Sequence, residues 1–233
     1  MKKEPLSVRD LTEGYALPDY PTRIYAMDKG HELLLDKGEK VRLSAGKVLV
    51  EQGDPVKYCY VVLSGRVISM EYTLEGAERI FNMFDAGSIF LESNVLLESP
   101  AAISFKALTD VELVRITRKQ LIKVMMGDEN VMLAIVGSTA HKYFSAMDQI
   151  REGFDHDASW RVYNLFMIFA SNYGEDDGNW IRINMKLNHQ MIGNLLGMNR
   201  VTVSKIIKEM KNQGLIQQVN DDYCVRKMSP CTL

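Results

Sequence analysis

Cationic and hydroxyl side chains recur at helical spacing in the segment LGMNRVTVSKIIKEMKNQGLI, residues 196–216. The apolar residues of this segment follow the i, i+3, i+4, i+7 pattern of a helix face turned to a core: Val203, Ile206, Ile207 and Met210. The opposite face carries the candidate DNA-binding residues Arg200, Val201, Thr202, Ser204, Lys205 and Lys208. Arginine can bind O6 and N7 of guanine, whereas lysine and hydroxyl groups suit phosphate oxygens.

Two short helices joined by a tight turn are predicted around this face. Asn188 can cap the first helix, NHQMIGNLL, and Asn199 can cap the second, which ends at Gly214. Between them Gly197 can adopt a left-handed backbone conformation. This pattern predicts a helix-turn-helix whose second helix enters the major groove, followed by a hairpin wing in QQVNDDYCVRK. The alternative is a structural helix with a solvated charged face, which explains the lysines but not an exposed first turn of Arg, Val and Thr.

Composition limits the possible functions. The 233 residues are 46% hydrophobic and 25% charged, as in an ordinary globular protein, with a net charge of -2. Between Gly178 and Gly214, however, six Lys or Arg residues stand against the single acid Glu209. No secretory signal or apolar run of about 18 residues is present, and three cysteines fit a reducing cytoplasm. We find no catalytic motif or metal-ligand spacing, so we expect neither an enzyme nor a cofactor, metal or membrane partner.

The segments before this motif are predicted to be strands and then a long helix. From about Glu39 to Ile116, glycines recur every 11 or 12 residues between β-rich runs: Gly53, Gly65, Gly76 and Gly87. Such spacing predicts an all-β sandwich or barrel. Further along, FDHDAS interrupts a helix, and Asp157 or Ser159 could cap the next one. The polar segment GEDDGN is predicted to be a solvated turn rather than a calcium site.

A seven-residue repeat marks the helix from Asn130 to Phe154. Its apolar positions form an a/d seam: Leu133, Val136, Ala140, Tyr143, Met147, Ile150 and Phe154. Such a seam is typical of a coiled-coil contact and predicts a twofold dimer. The alternative is a helix that lies against its own β-domain. A hinge is predicted near residues 154–157.

The order of these segments resembles the Crp/Fnr family of bacterial transcription regulators over nearly the whole chain. LVEQGDPVKYCYVVLSGRV is similar to the family's early β-roll, NMFDAGSIFLESNVLL to the segment that opens its effector pocket, and LNHQMIGNLLGMNRVTVSKIIKEMKNQGLI to its helix-turn-helix. The resemblance implies an α+β chain with an effector-binding β-roll (a cyclic-nucleotide-binding-like jelly roll) over residues 1–128. A dimerisation helix and hinge would follow over 129–155, and a winged helix-turn-helix over 156–233. It further implies a homodimer on double-stranded DNA, with RNA polymerase as a possible partner.

Departures from the family concern the effector. Members that bind cyclic AMP carry an Arg-Ser pair that holds the cyclic phosphate, whereas Ala101 and Ala102 stand here in ESPAAISFKAL. Glu92 matches the ribose-binding Glu, but a buried phosphate without a facing cation would be costly, so cyclic AMP is not expected. Iron–sulphur members need four cysteines, mostly near the N-terminus, which this chain lacks. In haem-sensing members His or Cys ligands lie in the β-roll; here Cys59 is the one candidate in that segment, and the four histidines are scattered and are expected to be structural.

By elimination, we expect a small organic effector held between the β-roll and the long helix. The candidate residues are Glu92, Lys142, Tyr143 and Tyr72. A lysine there suits an acidic group such as a carboxylate or a phenolate, and VTVSK resembles the corresponding stretch of family members that sense halogenated phenols. The alternative for Lys142 is a solvated surface residue.

Two further hypotheses concern single positions. Many family members have a Glu where this chain has Val201, and that Glu accepts a hydrogen bond from cytosine N4. Valine methyls can instead pack on a thymine methyl, so we expect an A·T pair opposite Val201. The competing functional hypothesis is a redox-responsive regulator of the same fold that signals through Cys59.

Overall fold

The structure is a computed structural model that describes residues 22–26, 28 and 30–227. Contacts among residues divide it into two units: the first ends at Asp148, and the second begins at Gln149. The predicted α+β class is confirmed, because a strand-rich segment precedes a long helix and then a helix-turn-helix. None of the helices in these ranges has the length and apolar content needed to cross a bilayer.

Within the described residues, the first unit contains nine strands. They are β1 (Ile24–Tyr25), β2 (Glu39–Leu43), β3 (Val48–Val50), β4 (Tyr58–Ser64), β5 (Val67–Tyr72), β6 (Glu78–Phe84), β7 (Ile89–Phe90), β8 (Ser104–Ala107) and β9 (Val111–Thr117). One sheet has the order β1-β6-β5-β8-β3 and the other the order β2-β9-β4-β7. All neighbours are antiparallel except β1 and β6. This order, with non-consecutive neighbours in both sheets, is the predicted β-roll.

Three helices accompany these strands: α1 (Glu92–Leu97), α2 (Arg118–Gly127) and α3 (Glu129–Asp155). Helix α2 begins with a capping box, since the side chains of Thr117 and Gln120 each accept a hydrogen bond from the other's backbone N–H. Strand β1 and helices α1 and α2 are not predicted from the sequence. Helix α1 has only six residues, too few for a helical period, although the T-x-x-Q pattern was a usable signal for α2.

Strand β4 is buried on both faces, because alternate side chains of a strand point in opposite directions. Tyr60 and Val62 pack with Phe84 and others in the cluster between the two sheets. Cys59 and Val61 pack on the other side, in a cluster that includes residues of α2 and α3. The continuous apolar run YCYVVL follows from this double burial.

The second unit contains the winged helix-turn-helix. Its elements are α4 (Ala158–Tyr173), β10 (Gly174–Asp177), β11 (Trp180–Ile183), α5 (His189–Leu196), α6 (Arg200–Asn212), β12 (Ile216–Val219) and β13 (Asp222–Arg226). The strands form one sheet of order β10-β11-β13-β12. The Asp157 side chain caps α4 by accepting from the Trp160 N–H at 2.8 Å. The predicted wing is confirmed, and its turn residues Asn220 and Asp221 have φ values of 48° and 69°.

The prediction for GEDDGN was incomplete. Gly174–Asp177 is strand β10, and only Gly178 and Asn179 form the turn to β11. All four residues of β10 are exposed, so the strand depends on backbone pairing with β11 rather than on burial of alternate side chains. A period-2 pattern therefore could not reveal it.

The turn glycines of the roll provide a test of the fold. Gly65 and Gly76 have φ values of 80° and 78°, but a Cβ on Gly65 would lie 2.1 Å from the Asp110 carbonyl oxygen, whereas Gly76 has nothing within 4 Å. We expect Gly65→Ala to lower the free energy of unfolding by roughly 3 kcal/mol or more, and the control Gly76→Ala by about 1 kcal/mol. Urea unfolding of both variants measures this, and equal losses would contradict the predicted packing of Gly65.

Candidate DNA interface and effector site

Helices α5 and α6 are held in a helix-turn-helix by the two predicted caps. The side chains of Asn188 and Asn199 each accept a hydrogen bond at 2.8 Å from the backbone N–H three residues further on. Gly197 in the turn has the expected left-handed φ of 63°. Gly193 allows the turn to approach α5, since a Cβ there would lie 2.5 Å from the Met198 carbonyl oxygen.

Helix α6 has one buried face and one exposed face. Val203, Ile207 and Met210 are buried, and Ile206 is partly buried. The candidate DNA-binding residues lie elsewhere on its surface: Arg200, Val201, Lys205 and Lys208 are exposed, and Thr202 and Ser204 are partly buried. In the described part of the chain, none of the three cationic side chains on this face has a hydrogen-bond or ion-pair partner. Their charges are therefore available to an anion.

Wing residues brace the first turn of α5 and the end of α6. His189 Nε2 lies 3.1 Å from the Tyr223 hydroxyl, and Lys211 donates to Gln218 Oε1 at 2.9 Å. The Lys211 ammonium also lies 5.4 Å from the centre of the Tyr223 ring. Burial, and then the charges of Arg200 and Lys211, lower the pKa of His189 below its ordinary value. Arg200 and Lys211 thus bring positive charge close to His189, which suits a polyanion.

Glu92 and Lys142, two of the candidate effector residues, form an ion pair inside the first unit. Lys142 Nζ donates to Glu92 Oε1 at 2.6 Å, and the two side chains are 21% and 1% exposed, respectively. Leu91 precedes Glu92 with a φ of 62°, a left-handed conformation that is uncommon outside glycine and often found at functional sites. Lys142 is therefore a paired and largely buried residue rather than a solvated one.

Further polar residues extend this pair along α3, and we call the group the polar stripe: Ser138, Thr139, Lys142 and Ser145. The Ser138 hydroxyl accepts from Lys142 Nζ at 2.6 Å and donates to Asp28 Oδ2 at 3.2 Å. Asp28 Oδ2 also accepts from the Ile89 N–H at 2.8 Å. Thr139 Oγ1 lies 3.2 Å from Glu92 Oε1. Charge and hydrogen bonds thus link α3 to the β-roll through a buried network.

The stripe ends beside strand β1. Ser145 Oγ accepts from the Arg23 N–H at 3.1 Å. The neighbouring Tyr25 ring is fully buried, stacks on Phe84 at 5.3 Å between ring centres, and lies 5.9 Å from Lys142 Nζ. Burial raises the pKa of Tyr25 above its ordinary range, against a smaller opposing effect of Ser145.

The structure does not bring the other two effector candidates to this network. Tyr143 is 61% exposed on another side of α3, and Tyr72 is 62% exposed at the end of β5. Sequence reasoning missed Asp28, Ser138, Thr139 and Ser145. The i, i+4, i+7 spacing of Ser138, Lys142 and Ser145 was a usable signal for a polar helix face.

Ala101 and Ala102 stand where cyclic-AMP-binding members carry their Arg-Ser pair. Ala101 is buried, and its backbone N–H donates to the Asp54 carbonyl oxygen at 2.9 Å. Ala102 is exposed. Neither methyl group can neutralise a phosphate.

The predicted dimerisation residues of the first unit lie on the side of α3 that faces away from the roll. Leu133, Val136, Tyr143 and Met147 are exposed, and Ala140 is partly buried. Ile150 and Phe154, which belong to the second unit, are exposed as well. The side of α3 that meets the roll is instead buried through Val131, Ala134, Ile135 and Ser138. An exposed apolar row of this length is typical of a surface that contacts a partner.

Cys59, the candidate redox residue, is fully buried on β4. Burial, and then the negative charge of Glu92, raise the pKa of its thiol far above the ordinary value. A thiolate, which is the reactive form, is therefore strongly disfavoured. Cys224 is buried as well, and Cys231 lies outside the described residues.

Two family models match the chain, one in each unit. The model of the cyclic nucleotide-binding domain matches residues 40–128, and that of the Crp-like helix-turn-helix domain matches residues 161–229. A CRP-like cAMP-activated global transcriptional regulator of Mycobacterium tuberculosis (strain ATCC 25618 / H37Rv) is 21% identical over 179 residues, which are 77% of this chain and 80% of that protein. The chain belongs to the Crp/Fnr family.

Other relatives agree with this assignment. The cAMP-activated global transcriptional regulator CRP of Haemophilus influenzae is 25% identical to this Crp/Fnr protein over 176 residues, or 74% of this chain and 77% of that one. A CooA variant from Carboxydothermus hydrogenoformans has a TM-score of 0.73 at 20% identity, over 84% of this chain and 86% of that one. CprK complexed with OCPA has a TM-score of 0.71 at 17% identity, over 88% of this chain and 95% of that one. The structural likeness shows the shared fold, and the family is one of transcription regulators rather than enzymes.

Burial of Cys59 in this Crp/Fnr protein has a measurable consequence. We expect native Cys59 to react with iodoacetamide at pH 8 at least about tenfold more slowly than in concentrated urea, because both access and the thiolate fraction are low. Mass spectrometry of the Cys59 peptide from a Cys231→Ser variant measures both rates. Equal native and unfolded rates would contradict the burial and revive the redox hypothesis.

Proposed function

We propose that this Crp/Fnr regulator acts in the cytoplasm as a homodimer that binds an inverted repeat of DNA and responds to a small organic effector other than cyclic AMP. The observation that carries the proposal is the capped helix α6, with three exposed cations that have no partner among the described residues, beside a buried face. A ligand with regularly spaced negative charges suits that surface.

Each part of α6 has a distinct role in the proposed complex. The first turn of a recognition helix contacts base edges, so Arg200 would bind guanine or a phosphate and Val201 would pack on a thymine methyl. Thr202 suits a phosphate oxygen, and Ser204 and Lys205 reach bases or backbone. Lys208, further along the helix, would contact phosphate and contribute to affinity rather than to specificity.

A dimer through the exposed seam of α3 would present two copies of α6. A twofold axis relates two half-sites about one DNA turn apart, roughly 34 Å. The chain can change direction where α3 ends at Asp155 and α4 begins at Ala158. Effector binding would shift a population between poorly and well oriented DNA-binding units. The bound dimer would then affect transcription through its promoter position and its contacts with RNA polymerase.

The effector we propose carries an acidic group. Lys142 is the cation on the roll side of α3, and it already holds a carboxylate there. Cyclic AMP is disfavoured because Ala101 and Ala102 provide no charge for its phosphate. Tyr72 and Tyr143 would take part only if a bound ligand or a partner chain covered them.

The proposed DNA recognition can be tested by selecting genomic fragments with the purified protein at a stated moderate salt concentration. We expect one inverted repeat with an A·T pair opposite Val201. Val201→Glu should shift that position toward G·C by about 1–3 kcal/mol, because Glu accepts from cytosine N4.

Val48→Glu is the matched control, since Val48 is an exposed valine in the first unit. It adds the same charge away from α6 and should leave the selected sequence unchanged. Identical selected sites for wild type and Val201→Glu would show that the assumed docking is wrong. Fragments bound without sequence preference would argue against specific recognition in the effector-free state.

The proposed dimer can be tested on the seam of α3. Val136→Lys combined with Met147→Lys places like charges opposite each other in a twofold contact, which costs several kcal/mol. We expect sedimentation equilibrium to show the wild type at twice the chain mass of 26.5 kDa and the variant at the single mass. Ala146→Lys, at a flanking position of the heptad where charge is tolerated, should remain dimeric. If the variant with Val136→Lys and Met147→Lys stays dimeric, the dimer does not use this seam.

A further inference from the structure

We infer that Lys142 and its neighbours on α3 form a carboxylate-binding site that Glu92 fills in this structure, and that a small carboxylic acid acts as effector by taking the place of the Glu92 side chain. The inference rests on the proposed function, which it deepens by naming the ligand class and the group that the ligand displaces.

The site is built around a carboxylate. Glu92 Oε1 accepts from Lys142 Nζ at 2.6 Å and lies 3.2 Å from Thr139 Oγ1. The Glu92 side chain is 1% exposed, so its charge is stabilised by these groups rather than by water. Lys142 is fixed in turn by Ser138, whose hydroxyl lies 2.6 Å from Nζ.

The cation belongs to a long helix that is tied to the roll, whereas the carboxylate belongs to a short helix with strained ends. Lys142 and Ser138 belong to a helix of 27 residues, and Ser138 is tied to Asp28 and Ile89 of the roll. Glu92, by contrast, begins a six-residue helix. Both flanking residues of that helix, Leu91 and Glu98, are left-handed without being glycine, which is a strained arrangement. Leu91 and Val95 of this segment are buried in the core, so release of Glu92 would require a local rearrangement of α1 rather than of α3.

Charge balance selects a singly charged ligand. Near the site the roll contributes Asp28, whose Oδ2 accepts from Ser138 at 3.2 Å, and Arg23, whose charge acts on Tyr25, while α3 contributes the Lys142 ammonium group. A phosphate dianion would bring two negative charges to an ammonium group that already has Asp28 near it. A carboxylate brings one, and its two oxygens suit the ammonium and the Thr139 hydroxyl.

The site reaches the surface on one side. Thr139 is exposed, Ser93 is partly buried with its Oγ 3.4 Å from Thr139 Oγ1, and Lys142 is 21% exposed. On the inner side the Tyr25 ring lies below the ammonium. A small acid can therefore reach Lys142 from solvent along α3.

Exchange of Glu92 for an external acid would act directly on α3, the proposed dimerisation helix. Thr139 and Lys142 flank the seam residues Ala140 and Tyr143 in the chain, so α3 carries the site on one side and the seam on another. With Glu92 in place the carboxylate comes from the roll itself. With an external acid in place, this tie between α1 and α3 is lost while Lys142 stays neutralised.

Chemical rescue tests the site with acetate as the probe. Glu92→Ala removes a CH₂–COO⁻ group, which acetate can replace. We expect Glu92→Ala to melt about 10 °C below wild type in sodium chloride, because one partner of a buried pair is lost. Sodium acetate at the same ionic strength should restore at least half of that loss.

Two matched variants make the result specific. Glu92→Ala with Lys142→Met lacks the cation, and Glu92→Gln fills the space with a neutral amide, so acetate should not raise the melting temperature of either. An equal acetate effect in all variants, or none in Glu92→Ala, would overturn the inference. If Glu92→Ala does not fold alone, the yield of refolding in acetate against chloride replaces the melting temperature, with the same comparison.

Affinity of Glu92→Ala for the selected inverted repeat separates this inference from the proposed function. A Lys142-dependent stabilisation together with an acetate-dependent change in DNA affinity supports both. Stabilisation without any change in DNA affinity retains the carboxylate site and overturns its role as an effector switch. Failure to select any DNA sequence counts against the proposed function alone, because the melting experiment needs no DNA.

Discussion

Helix α3 packs on the β-roll with one side and keeps an apolar seam exposed on another, and the contacts of the first unit with α3 reflect both requirements. On the roll side its N-terminal half is anchored by apolar burial of Val131, Ala134 and Ile135. Further along, the same side becomes polar and is tied to the roll by charge and hydrogen bonds. The remaining side keeps its apolar seam exposed. A helix buried by apolar contacts on every side could not contribute a seam to a partner.

The change from apolar to polar contacts along α3 matters because the two kinds of contact behave differently. Apolar burial is non-directional and scales with area, so it holds α3 on the roll without fixing its rotation closely. A buried ion pair adds little net stability but requires a defined geometry. Glu92 and Lys142 therefore contribute orientation more than stability.

Much of the second unit could be predicted from the sequence, because its features are local. Asn188, Gly197 and Asn199 act within a few residues of themselves, and the face of α6 follows from one helical period. The exposed strand β10 escaped prediction because it is defined by backbone pairing with β11 and not by burial of alternate side chains. The roll was predicted through its turn glycines, but β1 was not, because two residues paired with a distant strand leave no pattern.

The candidate effector site could be predicted from the sequence only in part. Glu92 and Lys142 could be selected by residue type and family position, yet their mutual pairing joins residues 50 apart in the chain. Ser138 and Ser145 look like solvated helix positions when only the seam is considered, and their burial depends on where the roll lies. Asp28 becomes relevant only because β7 brings the Ile89 N–H to it. Binding to DNA uses side chains that point away from the fold, so their roles can be predicted from residue type and spacing. The proposed control by a ligand would use side chains that point into the fold, and their roles depend on contacts that only the folded chain defines.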